Sequence, residues 1–191
     1  MFLLRKPKSV EIERFLGDCR SDDFSYTELG ATRSPAPADY SVDHNRIKLG
    51  SGLTDFETAK TAIRQWRMFA FAWVNIYRED TPIEIGQTVA ILAAHFGFYS
   101  LSAARIVYTI DESGETERFG FAYGTLTEHE EIGEERFSVE FHHESEEVWY
   151  DLYAFSRPGS ILAKIGYPVS RYLQKSFAQD SKLAMLNFVS Q

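Results

Sequence analysis

The chain is 191 residues long, 44% hydrophobic and 15% aromatic, with a formal charge of -8. That length predicts one compact domain over residues 1–191, and its 15 Phe and 10 Tyr predict a ring-lined interior rather than a disordered chain. The acidic balance argues against nucleic acid and against an anionic membrane surface, both of which need clustered Lys and Arg.

The N-terminus, "MFLLRKPKSV", reaches its charges too soon for a signal-peptide core. No apolar run elsewhere approaches the roughly 20 residues of a membrane span. Cys19 is the one cysteine, so no internal disulfide can form and no Cys/His cluster is available to hold zinc. The expectation is a soluble, cytoplasmic protein with no membrane insertion, no metal and no cofactor. "SVEIERFLGD" places Ile12, Phe15 and Leu16 on one helical face, and "FSYTEL" reads as a short strand. The glycines and prolines of residues 30–52, spread among polar residues, predict a long ordered loop. In "TDFETAKTAIRQW", Thr54 followed by Glu57 has capping-box spacing, and Phe56, Ala59, Ile63 and Trp66 recur at helical period.

From Met68 the period changes to two. Six β-rich runs follow, at roughly 68–77, 86–96, 102–110, 118–126, 134–143 and 147–156, separated by short polar turns. The last segment carries an apolar stripe of Leu162, Ile165, Val169, Leu173 and Phe177, kinked or interrupted near Pro168, and predicts a long C-terminal helix over about Ser160 to Leu186. The fold class expected is therefore α+β: a strongly curved antiparallel sheet of about six to seven strands packed on that helix, a helix-grip arrangement that often keeps an apolar cavity.

Strand parity then sorts the side chains. In "RFGFAYGTL", Phe119, Phe121, Tyr123 and Thr125 share one face, opposite Gly120, Ala122 and Gly124. In "EERFSVEF", Glu135 lies with Phe137, Val139 and Phe141, so Glu135 points inward and Glu134 outward. An inward carboxyl is costly unless partnered, and desolvation raises its pKa, which makes Glu135 the candidate catalytic or ligand-orienting group. The bland alternative places it at the strand mouth, half solvated and bonded to Arg46, Arg157 or loop amides. His129, in the turn "TEHEEIG", has no ligand spacing with Glu134 and Glu135 and reads as an exposed turn residue. His142 and His143 are adjacent and so face opposite sides of a strand, while His95 reads as a core or cavity histidine. There is no "GxSxG" elbow, and "LGSG" lacks the lysine of a phosphate loop.

"FSYTELGATR", "DHNRIKLGSG", "AYGTLTEHEEIGEERF" and "AFSRPGS", in that order, resemble the domain of unknown function 1990 family, also called UPF0548-type, across nearly the whole chain. The positions that match are Tyr26, Arg46, Gly50, Tyr123, Gly124, Thr125, His129, Gly133, Glu134, Glu135, Ser156, Arg157 and Pro158, with Glu128 standing where a small turn residue is expected. The resemblance implies kinship with the START-like (SRPBCC) helix-grip superfamily, whose members bind lipids, hormones, polyketides or other hydrophobic ligands. It implies no particular activity. Three readings follow. The first is a hydrophobic or amphipathic small molecule held in a cavity between sheet and helix, contacted by Tyr26, Arg46, Phe121, Tyr123, Thr125, His129, Glu135, Phe137, Ser156 and Arg157. The second is an enzyme of the cyclase, hydratase or hydrolase kind with Glu135 as general acid or base. The third is a packed structural or interaction protein without a cavity.

Overall fold

The structure is a computed structural model that describes residues 1–127, 131–159 and 167–191. Its strands are β1 (Phe2–Leu3), β2 (Ser41–Ser51), β3 (Val74–Tyr77), β4 (Thr88–His95), β5 (Phe98–Glu112), β6 (Thr116–Thr125), β7 (Glu131–His142) and β8 (Glu147–Pro158). They form one antiparallel sheet in the order β2-β8-β7-β6-β5-β4-β3, with β1 added along β5. The helices are α1 (Ser9–Asp18), α2 (Gly52–Arg64) and α3 (Tyr167–Val189).

The expected helix-grip architecture is present. Curvature is assisted by irregular register between Ile106 and Tyr108 of β5 and between Lys48 and Gly50 of β2. On the concave side, Phe121 of β6, Phe137, Val139 and Phe141 of β7, and Val148 and Tyr150 of β8 pack with Phe56, Ala59, Ile63 and Trp66 of α2 and with Ala178, Met185 and Val189 of α3. Parity placed Phe121, Phe137, Val139 and Phe141 correctly. Each fully buried ring stabilises the fold by roughly 2–3 kcal/mol, which explains why the aromatic content is concentrated here.

The convex side is covered too. Ile12 and Leu16 of α1 pack on Ala90, Leu92 and Leu101, while Tyr26 and Tyr40 from the segment before β2 pack on Phe155. Strands β4 to β6 are thus apolar on both faces, as strands buried on both sides must be.

Four local expectations are corrected. The run 68–77 is a strand only over Val74–Tyr77, after a 3-10 turn at Arg67–Phe69. Residues 30–52 do not form one loop: after a 3-10 turn at Ala31–Arg33 the chain runs as the 11-residue strand β2, paired with β8 along its length. "FSYTEL" is not a strand; it touches the sheet at one bridge, Phe24 to Leu126, and then crosses the convex face. Helix α2 begins before Thr54, at Gly52, and its start is held by Asp55, whose Oδ2 accepts the Ser51 amide at 2.9 Å, while Glu57 pairs with Lys60 at 2.5 Å instead. In the C-terminal stripe, Leu173 and Phe177 face inward, Val169 is exposed, and Leu162 and Ile165 lie outside the described residues.

Candidate functional site

Under the first half of α3 the concave face is not filled. A pocket of about 240 Å³ lies there, walled by Phe69, Trp73, Ile91, Leu152, Leu173 and Phe177, with Tyr123, Thr125, Glu135 and Ser156 contributing polar atoms. The second half of α3 packs solidly: Met185 is buried, and the hydroxyls of Ser181 and Tyr150 share a hydrogen bond of 2.8 Å. The helix therefore closes the pocket with one half and anchors itself with the other.

Glu135 is the central group. The Tyr123 hydroxyl donates to its Oε2 at 2.7 Å, and its residual exposure opens into the pocket that it lines. Burial pushes this carboxyl up to about 7 despite the opposing pull of the Tyr123 hydrogen bond, and the negative charge of Asp43 adds to the rise. The same burial, with Glu135 alongside, pushes the Tyr123 phenol well above its ordinary value.

The arginines expected to partner Glu135 do not. Arg46 points to the convex face, where it pairs with Glu140 at 2.5 Å and with Asp151 at 3.2 Å. Alternation along β2 dictates this, since Asp43 and Asn45 line the pocket and the residues between and beyond them point the other way. Arg157 is exposed at the end of β8 and lies over the Tyr40 ring at 4.7 Å. The bland alternative had Glu135 half solvated and bonded to Arg46, Arg157 or loop amides; its arginines are corrected, and among the described residues its bond is to the Tyr123 phenol.

Glu134 is on the opposite face, as parity requires, yet it is 2% exposed rather than solvated. It accepts from the Tyr26 hydroxyl at 2.7 Å, the Gly30 amide at 2.7 Å, the Thr32 amide at 3.0 Å and the Thr32 hydroxyl. The Tyr26 ring lies so close above β6 that a Cβ at Gly124 would overlap its hydroxyl, which explains a glycine there. Around it, Arg136 and His44 reach Asp151 at 2.9 and 2.6 Å, and Arg118 reaches Glu140 at 3.1 Å. These groups tie the convex covering to the sheet. Gly124 was the sequence signal that another chain segment comes close on that side.

Of the expected ligand contacts, the structure brings Tyr123, Thr125, Glu135 and Ser156 to the pocket. Phe121 and Phe137 belong to the core beside it, Tyr26, Arg46 and Arg157 lie on the convex side or at its edge, and His129 falls outside the described residues. Sequence reading missed Asp43, Gln174 and Arg171. Arg171 of α3 holds Asp43 at 2.5 and 2.6 Å and the Gln174 carbonyl at 2.6 Å, and Gln174 donates to the Ser156 hydroxyl at 3.1 Å. His95, at the end of β4, bonds the Ser100 hydroxyl at 2.7 Å, and burial pushes its pKa down. His142 and His143 do face opposite sides, toward Glu140 and Glu117 respectively. Among the described residues no cluster of three or more His, Cys, Asp or Glu could hold a metal, and no helix is long and apolar enough to cross a membrane.

A curved antiparallel sheet gripping a long terminal helix over a partly unfilled concave face defines a START-like helix-grip protein. Human STARD10 shares that fold at a TM-score of 0.50 and 9% identity, covering 95% of this chain and 81% of its own. A hypothetical protein of Helicobacter pylori does so at a TM-score of 0.52 and 10% identity, covering 88% and 96%. Within that class the family model "Domain of unknown function (DUF1990)" matches residues 25–184, and the chain belongs to this family. A UPF0548 protein of Dictyostelium discoideum is 38% identical over 99% of this chain and 96% of its own, and one of Arabidopsis thaliana is 34% identical over 78% and 73%.

Proposed function

We propose that the chain binds a hydrophobic or amphipathic small molecule in the pocket beneath α3. The observation that carries this is the contrast within one space: ring and aliphatic walls around a few convergent polar atoms, chiefly the Glu135 carboxyl with its Tyr123 hydroxyl. The walls supply affinity by burying the ligand's apolar body, and Tyr123, Thr125, Glu135 and Ser156 orient its polar end.

A neutral solvatochromic dye such as Nile red tests the reading. Ala154 lines the pocket from β8, between Asp43 of β2 and Glu135 of β7, so Ala154→Phe fills it. The wild-type protein is expected to bind the dye with a blue-shifted emission and Ala154→Phe to lose at least about tenfold in affinity while keeping its circular dichroism. Equal binding by both would place the dye elsewhere and overturn the reading.

A second reading, acid–base catalysis by Glu135, is favoured by one observation. A carboxyl with a pKa raised to about 7 exchanges protons near neutrality, where a general acid or base works best. Turnover of a bound ligand that vanishes in Glu135→Gln while binding persists would select it.

A further inference from the structure

Among the described residues that line the pocket there is no Lys, Arg or His, whereas Asp43, Glu131, Glu134 and Glu135 do line it, Glu134 with its carboxyl turned to Tyr26 and Thr32 on the convex side. Arg171 of α3 is forked onto Asp43. Glu135 has no such neighbour: among the described residues its carboxyl takes the single hydrogen bond from Tyr123, and Oε1 takes none. Resting on the reading that the pocket holds a small molecule, we propose that its occupant is an apolar amine, with the protonated nitrogen set against the Glu135 carboxylate.

The physical case is one of sign. A carboxylate drawn out of water with only a phenol for company is held at a disadvantage, and a cation placed beside it removes that disadvantage. A ligand ending in carboxylate or phosphate would bring like charge toward Glu135, whose carboxyl has only the Tyr123 hydroxyl beside it among the described residues. The rings of Phe69, Trp73, Tyr123 and Phe177 suit the same occupant, because they accept an apolar body and present faces to an ammonium.

The amine also fixes the direction of a pH effect. The groups facing Glu135 are Tyr123 on β6, Tyr150 on β8, Glu131 on its own strand, and Asp43 of β2 with its Arg171 partner from α3. Both tyrosines are pushed up by burial and stay neutral near pH 7. Glu135 itself titrates near 7, and an ammonium prefers its ionised form. Affinity for an amine therefore rises with pH up to about 7 and levels off above it, until the amine loses its own proton. A ligand that accepts a hydrogen bond from the protonated carboxyl would show the opposite slope.

Three probes with one apolar body separate the possibilities: 2-phenylethylamine, 2-phenylethanol and 3-phenylpropanoate, titrated by calorimetry at about pH 6 and about pH 8. At the higher pH the amine is expected to bind at least about tenfold more tightly than the alcohol and the acid more weakly than either. Glu135→Gln is expected to abolish the amine's advantage over the alcohol. If the alcohol binds and the amine shows no preference, or if the acid binds best, the amine proposal is overturned and the pocket reading stands. If none of the three binds and Nile red binds equally to Ala154→Phe, the pocket reading falls and the amine proposal with it.

Discussion

Two adjacent carboxyl groups, Glu134 and Glu135, have opposite fates because a strand alternates. Glu134 satisfies donors from Tyr26, Gly30 and Thr32 on the convex side, so Glu134→Ala would strand several buried donors at once. The expected loss is about 3 kcal/mol or more, measured by urea denaturation, and Tyr26→Phe, which deletes one of those bonds, should cost about 1–2 kcal/mol. Glu135 behaves differently. Its folded-state pKa, raised to about 7 from 4.5, means that the folded protein holds this proton more tightly than the unfolded chain does. Its contribution therefore falls as pH rises from about 4.5 through about 7, and above that range the whole penalty, no more than about 3 kcal/mol, is present. Glu135→Gln removes the titration, so the melting temperature of the variant minus that of the wild type should grow across that window; a flat difference would contradict the burial described for Glu135. The side of the sheet on which each carboxyl lies was legible from parity. Their partners were not, because Tyr26 and Tyr123 become neighbours of β7 only through pairings distant in sequence.

Among the elements, β2 was the least legible. "SVDHNRIKL" has few apolar residues on either face, and Asp and Asn are poor strand formers, so neither alternation nor propensity announces a strand. Its stability comes from across the ladder, where Arg46 sits opposite Asp151 and Lys48 pairs with Glu147 at 2.7 Å, partners that a single strand cannot reveal. The junction of β2 with α2 was misplaced for a related reason. Thr54 and Glu57 have capping spacing, but Asp55 holds the Ser51 amide and packs against Gly50, where a Cβ would overlap the carboxylate. Asp55→Ala should therefore destabilise by about 1 kcal/mol and Gly50→Ala by at least as much, whereas Thr54→Ala should stay within about 0.5 kcal/mol, all read by thermal melts. A reversed order would restore the capping assignment made from the sequence. By contrast α1, the body of α2 and the strands from β4 to β8 were legible because their apolar periodicity records a buried face directly, whereas the run 68–77 is a strand only over Val74–Tyr77.

For the molecule as a whole, the division of α3 sets the expected dynamics. Its first half carries exposed Val169 and Tyr172, rests on the pocket, and is tied down by Arg171 to Asp43 and Gln174 to Ser156. Its second half is fixed by Met185, Ser181 and Val189, all buried. Local opening follows contact density, so backbone amides of residues 169–176 should exchange faster with deuterium than those of 180–189. Arg171→Ala should accelerate the first group and leave the second alone. Uniform exchange along the helix would show that the pocket opens some other way. The helix and the curved sheet were legible in the sequence as a pair of periods; the unfilled space between them was not, because it depends on how far Phe69, Leu173 and Phe177 reach across it.

The opposite faces of β7 also bear on how such a protein can diversify. On the convex face Glu134 is a carboxylate that keeps the chain folded, and on the pocket face Glu135 is a carboxyl that the fold would be no less stable without. A library randomised at residue 135 should consist largely of folded proteins with altered ligand preference, whereas one randomised at residue 134 should consist largely of unfolded ones. Selection for a new ligand can then proceed at the pocket without first compromising the scaffold.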